Sequence, residues 1–161
     1  MEGKTVGQSS VVMAQVMSLQ DANHAGNIHG GAIMKLIDTA AAVAASRHAR
    51  ADVVTASIDR IEFLHPVLVG NFVTLMAELN FVGQTSMEVD VRVETENLIT
   101  GEKRHTSTAH VTLVALDGAG RPIPVPPLIL ETEEQKRRYR EAMVRREKRL
   151  AERKSEGIEN K

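Results

Sequence analysis

The chain has no cysteine and no tryptophan in its 161 residues, and its only aromatic residues are Phe63, Phe72, Phe81 and Tyr139. The absence of thiols excludes disulfides, thiolate nucleophiles and cysteine–zinc centres. So few rings leave no platform on which bases could stack, so no nucleic-acid partner is expected and the core must be aliphatic. Neither sign of charge dominates: 20 Lys and Arg stand against 21 Asp and Glu, which gives no globally basic surface for a polyanion. No apolar run is long enough to span a bilayer, since the longest, Leu36 to Ala45, already contains Asp38. The first residues, Met1-Glu2-Gly3-Lys4-Thr5, lack a basic segment leading into an apolar one, so a cytoplasmic protein is expected. Proline is scarce and clustered, and Arg121–Pro127 can only be an extended connector.

What the chain does have is concentrated between Asp21 and Asp38. A polar, glycine-bearing loop runs into an alanine-rich helix, and Gly30 and Gly31 fall where the first backbone N–H groups of that helix have no partner within it. At about 100° per residue, Asp38 returns to within roughly 20° of the azimuth of Gly31. One helix face thus offers N–H donors and a carboxylate, an arrangement suited to attack on a carbonyl. The residues alone leave Asp38 open to a second reading, as a buried acid held by backbone or arginine. Gly30 and Gly31 are open to a second reading too, as a device for close packing. Gly26 to Gly31 lacks the spacing of a dinucleotide fingerprint. His24 and His29, like His105 and His110, are five apart, which suits neither one helix face nor one strand face, so no metal site is expected.

Patterning predicts the order of elements. Ser10–Leu19 reads as a strand, and Ala32–Ala49 as a helix from Ile33, Leu36, Ile37, Ala40, Ala41 and Ala44. Four strands follow: Val53–Phe63, Val73–Phe81, Met87–Val93 and Ser107–Ala115. The second alternates throughout, and the third sets Met87, Val89, Val91 and Val93 against a wet face of Glu88, Asp90, Arg92 and Glu94. Residues 131–161 hold 11 Lys and Arg and 8 Glu, a compositional unit apart from residues 1–130. Within it Glu131–Lys154 is a charged helix with a thin stripe of Tyr139, Met143 and Leu150, which either lies in solvent or docks on a neighbouring subunit. One long helix against one antiparallel five-stranded sheet is an α+β layer architecture and suggests a hotdog arrangement.

Several segments in this order resemble one family. They are Asp21-Ala22-Asn23, Gly26-Asn27-Ile28-His29-Gly30-Gly31, Ser46-Arg47-His48, Val53-Val54-Thr55-Ala56-Ser57-Ile58-Asp59, Gly83-Gln84-Thr85-Ser86-Met87-Glu88-Val89 and Val125-Pro126. Together they resemble the hotdog-fold acyl-CoA thioesterases, in the branch that includes the cytosolic acyl-CoA hydrolases. The resemblance implies hydrolysis of fatty acyl-CoA to fatty acid and CoA, with coenzyme A entering only as part of substrate and product and no other cofactor. It implies a catalytic Asn23 and Asp38, assisted by Thr55. It also implies a homo-oligomer in which the pair meets across a dimer interface, often as a trimer of dimers. Thr39 and Asn71 depart from the family pattern, where acids are common, though neither position is catalytic.

On that footing Gly30 or Gly31 would donate to the thioester oxygen, and Asp38 would act as general base or nucleophile. Arg47, His48, Arg50 and Arg60 are candidates for the phosphates of CoA, although Arg47 and His48 would also complement the helix dipole. The turn Gln84-Thr85-Ser86 is a candidate for the pantetheine arm. The alternatives are a hotdog hydratase or dehydratase, in which His29 would be the base, and a protein that binds acyl-CoA without turnover. Against the latter, a binding pocket gains nothing from an uncompensated acid near the thioester.

Overall fold

The computed structural model describes residues 1–157. In chain order its elements are β1 (Lys4–Thr5), β2 (Val11–Val16), α1 (Gly30–Ala49), β3 (Asp52–Asp59), β4 (Phe72–Val82), β5 (Ser86–Glu96), β6 (Lys103–Leu116), β7 (Leu128–Ile129) and α2 (Glu133–Ser155), with two short 3₁₀ turns before α1. The main sheet has five antiparallel strands in the order β2-β4-β5-β6-β3, leaving β2 and β3 as edges. It is the expected hotdog fold: α1 lies in the concave face and α2 covers part of the outer one.

The concave face is dry and aliphatic. Ile33, Ile37, Ala40, Ala41, Ala44 and Ala45 of α1 are buried against Leu75, Ala77, Val89, Val91, Ala109, Val111 and Leu113 of the sheet. Small alanine side chains let the helix axis approach the strands closely, so its position is fixed by packing rather than by polar contacts.

Four local readings need correction. The strand expected to reach Leu19 ends at Val16, opposite Phe72, and Leu19 is 80% exposed in a 3₁₀ turn because no partner strand continues beside it. The strand expected to reach Phe63 ends at Asp59, where Arg60 takes a left-handed φ of 38° and turns the chain away from β6. The alternation of β4 breaks at a bulge between Leu79 and Phe81, so Phe81 pairs with Glu88 and stacks on Tyr139, with ring centroids 5.0 Å apart. Glu88, read as part of a wet face, is 2% exposed beneath α2, where Arg145 donates to its Oε1 at 2.6 Å.

The charged helix docks on its own sheet. Arg138 pairs with Glu78, Arg145 with Glu88 and Arg149 with Asp59, around a fully buried Ala142. Met143 and Leu150 remain 40% and 38% exposed, off the face that docks, while Tyr139 packs inward on Phe81. The parallel pair β1–β7 was not anticipated, for two-residue strands carry no periodic signal. It brings Lys4 under the C-terminal end of α1, where its Nζ donates to the carbonyl of His48 at 2.6 Å. Among the described residues, no helix is long and apolar enough to cross a membrane.

Candidate active site

Asp38 sits two turns into α1, half-buried on the flank that turns toward β3. Thr55, on edge strand β3, donates its hydroxyl to Asp38 Oδ1 at 2.5 Å. Pairing of Thr55 with Leu113 sets the register, and the bulge that follows at Ala56 lies directly beside this contact. Among the described residues, no other hydrogen bond and no salt bridge engages the Asp38 side chain. A neutral hydroxyl therefore orients one carboxylate oxygen and leaves the other available, without the cation that would mark a purely structural acid.

Asp38 opens onto a shallow depression of 510 Å³ that follows the uncovered face of α1 past Thr39, Ala42, Val43 and Ser46 to Arg47 and Arg50. The small side chains at Ala42 and Ser46 keep this trough open. A second depression of 640 Å³ shares Ser46 and Arg50 with it and continues over Asp52, Leu116, Asp117 and Ile123.

The N-terminus of α1 leaves its first backbone donors unpaired. Its N-cap is His29, with no side-chain cap and no acid in the first turn, and the first helical donors to find a carbonyl are Ala32 and Ile33, both on His29. The N–H groups of Gly30 and Gly31 have no acceptor among the described residues. A Cβ at Gly30 would touch the Phe63 ring at 3.5 Å, whereas one at Gly31 would meet nothing within 4 Å.

Asn23 lies in the loop before the helix. Its Oδ1 accepts from the N–H of Ala25 at 3.0 Å and of Asn27 at 3.2 Å, a turn-forming role. It makes no hydrogen bond with Asp38 and does not border the depression at that residue.

His48 does not fit the phosphate-binding role expected of it. It is fully buried, its Nε2 donates to the carbonyl of Pro126 at 2.8 Å, and burial pushes its pKa down, with nearby Lys4 adding to the shift against the raising effect of that hydrogen bond. It is a neutral packing residue that ties α1 to the proline-rich connector. Arg47 remains exposed, with one Nη1 hydrogen bond to the carbonyl of Ser10 at 2.9 Å. The turn at Gln84, Thr85 and Ser86 uses its carbonyls to bind the N–H groups of Val125, Ala115 and Gly83, and it borders neither depression. Arg60 pairs with Glu62 instead of facing the α1 trough. Lys4 holds the C-terminal end of α1 through the carbonyls of Arg47 and His48, and nothing local to Lys4 in the sequence signals that role.

Comparison with known proteins shows what the sequence and fold are similar to. The profile of the thioesterase superfamily matches residues 25–102. An acyl-CoA thioester hydrolase of Bacillus subtilis is 41% identical over 128 residues, 80% of this chain and 74% of that protein. The crystal structure of an apo-hexameric acyl-CoA thioesterase superposes with a TM-score of 0.90 at 40% identity, covering 94% of this chain and 97% of the other. An acyl-CoA hydrolase of Staphylococcus aureus, solved with butyryl-CoA and CoA, gives 0.87 at 34% identity over 96% and 94% of the two chains. That protein has also been solved with alanine replacing one aspartate, one asparagine and one threonine.

Proposed function

The chain belongs to the thioesterase superfamily, and from that membership we propose that it hydrolyses fatty acyl-CoA to the free acid and CoA, with Asp38 as the catalytic carboxylate. The observation that carries this reading is the 2.5 Å hydrogen bond from Thr55 to Asp38. It fixes the acid on an accessible helix flank while leaving Oδ2 to act. Further support comes from the Staphylococcus aureus hydrolase: its substituted asparagine, aspartate and threonine stand at the same intervals in sequence as Asn23, Asp38 and Thr55.

Two routes use the same groups. In one, Asp38 takes a proton from water, the water oxygen bonds to the thioester carbon, and negative charge moves onto the carbonyl oxygen. Collapse of that intermediate breaks the C–S bond, and the leaving thiolate is protonated by Asp38. In the other, Asp38 displaces the thiolate itself, and water then cleaves the mixed anhydride. Either way the oxyanion is received by the free N–H groups of Gly30 or Gly31 of the neighbouring protomer, since seven residues set these groups roughly 10 Å from the Asp38 of their own helix; the interaction is worth about 2.7–4 kcal/mol per donor in comparable sites.

The second half of the site comes from another copy. Asn23 keeps its Nδ2 for donation, yet stands apart from Asp38 within the protomer. The edge strand β3 carries Thr55 and an exposed Val54, and the Cβ position of Gly31 faces open space. Each is a place where a second copy, or the substrate, can approach closely. The minimal active unit is therefore a dimer with Asn23 of one protomer at Asp38 of its neighbour, and a trimer of dimers is the assembly proposed by analogy with the hexameric relative.

Thiol release from acyl-CoA esters of graded length tests the proposal. Wild-type protein should liberate CoA, and Asp38→Asn should form the same oligomer and liberate none. Turnover by a well-folded Asp38→Asn oligomer would overturn the role of Asp38. Hydration or dehydration of an enoyl or hydroxyacyl ester without thiol release, or binding without turnover, would overturn the hydrolase reading.

A further inference from the structure

The helix α1 ends on Arg50, which holds a left-handed φ of 54° and ψ of 39° and closes the helix by donating its N–H to the carbonyl of Ser46 at 2.7 Å. This is the position where glycine is the usual choice, because a Cβ is strained there. A long charged side chain at such a strained point directs attention to what that side chain does. Arg50 is exposed and is one of two residues, with Ser46, that border both depressions on the face of α1. No salt bridge engages it among the described residues, although Asp52 and Asp117 border the far depression. Asp117 is itself taken up by Arg121 at 2.9 Å.

Twelve residues separate Arg50 from Asp38, about 18 Å along the helix at 1.5 Å per residue. That is the reach of an extended phosphopantetheine arm, whose thioester end lies at Asp38 in the proposed reaction. The trough between them is lined by Thr39, Ala42, Val43 and Ser46, small enough for a thin, flexible chain. We infer that Arg50 is a specificity residue that binds a phosphate of coenzyme A, while the carboxylate at Asp38 meets the thioester at the other end of the same trough. This inference rests on the hydrolase reading. Lys4, which donates to the carbonyls of Arg47 and His48, and the His48–Pro126 hydrogen bond hold the helix end and so position Arg50.

The test compares Arg50→Gly and Arg50→Lys with the wild type on three esters of one acyl group: acyl-CoA, acyl-dephospho-CoA and acyl-pantetheine, which carries no phosphate. Glycine relieves the backbone, so Arg50→Gly should melt at or above the wild-type temperature. Its preference for acyl-CoA over acyl-pantetheine, as a ratio of kcat/KM, should fall about 10- to 100-fold, the range for loss of a charge-assisted hydrogen bond. The fall should come through KM, and Arg50→Lys should recover part of it. Loss of the effect on acyl-dephospho-CoA would assign the 3′-phosphate, and its persistence would assign the diphosphate. An unchanged preference in a wild-type-like Arg50→Gly oligomer would overturn this inference alone. A wild-type protein that cleaves none of the three esters would overturn the hydrolase reading and this inference together.

Discussion

The two faces of the sheet are built by different chemistry. On the concave side α1 is held by Ile33, Ile37 and four alanines without an ion pair to the strands. On the outer side α2 is held by Arg138, Arg145 and Arg149 on Glu78, Glu88 and Asp59, with Ala142 as its one fully buried contact. The dry face suits a helix that carries the proposed chemistry: packing fixes its azimuth, so Asp38 keeps a constant relation to Thr55. The outer helix needs no such precision: the hydroxyls of Ser57 and Thr112 lie on this face without a hydrogen-bond partner, beside a contact of 2.9 Å between His110 Nδ1 and Asp90 Oδ1. In this molecule rigid packing goes with the proposed chemistry, and charge pairing goes with the cover.

The sharpest way to break this contrast is at Asp38. Asp38→Ala should lower thioester turnover by about 10²–10⁴-fold, the range for loss of a positioned general base, while Arg145→Ala should leave kcat within a few-fold. The next effects are on stability, measured by denaturant unfolding. Ile37→Ala on the dry face should cost about 2–5 kcal/mol through the cavity it leaves. Arg145→Ala should cost about 3 kcal/mol by stranding buried Glu88, and the double change Arg145→Met with Glu88→Leu should recover much of that loss. A smaller effect concerns acid. The folded pKa of His48 lies below its ordinary 6.5, so the unfolded chain binds the proton more readily. The contribution of His48 is therefore complete above that value and is lost as pH falls through the interval beneath it. Unfolding free energy should decline as pH drops below about 6.5, with a shallower slope in His48→Gln. Smallest is the salt effect. The Arg138–Glu78 pair is exposed enough to be screened, so amide exchange at 1 M salt should quicken in α2 and not in α1.

Much of the fold could be read from periodicity, because α1 and the central strands each bury one continuous face. The elements that escaped that reading are set by tertiary partners. The bulge after Leu79 turns Phe81 outward to meet Tyr139, and no local residue announces it. Glu88 reads as a solvent residue until Arg145, 57 positions later, folds over it. The site was legible in part for a similar reason. Asp38 and the two glycines lie on one helix, where spacing alone sets geometry, whereas the contact to Thr55 depends on the register of β3. His48 misleads because a histidine in the last turn of a helix suits the dipole whether it faces solvent or the core. Only the burial of that turn against Pro126 separates the two cases.

The claim at the centre is that Asp38 and Asn23 act on one thioester from two different protomers. Mixing Asp38→Asn and Asn23→Ala proteins, each inactive alone, and allowing subunits to exchange tests it directly. A hybrid dimer then carries one doubly altered site and one intact site, so thiol release should reappear and track the hybrid fraction. A mixture that exchanges subunits and stays inactive would contradict a site shared between protomers.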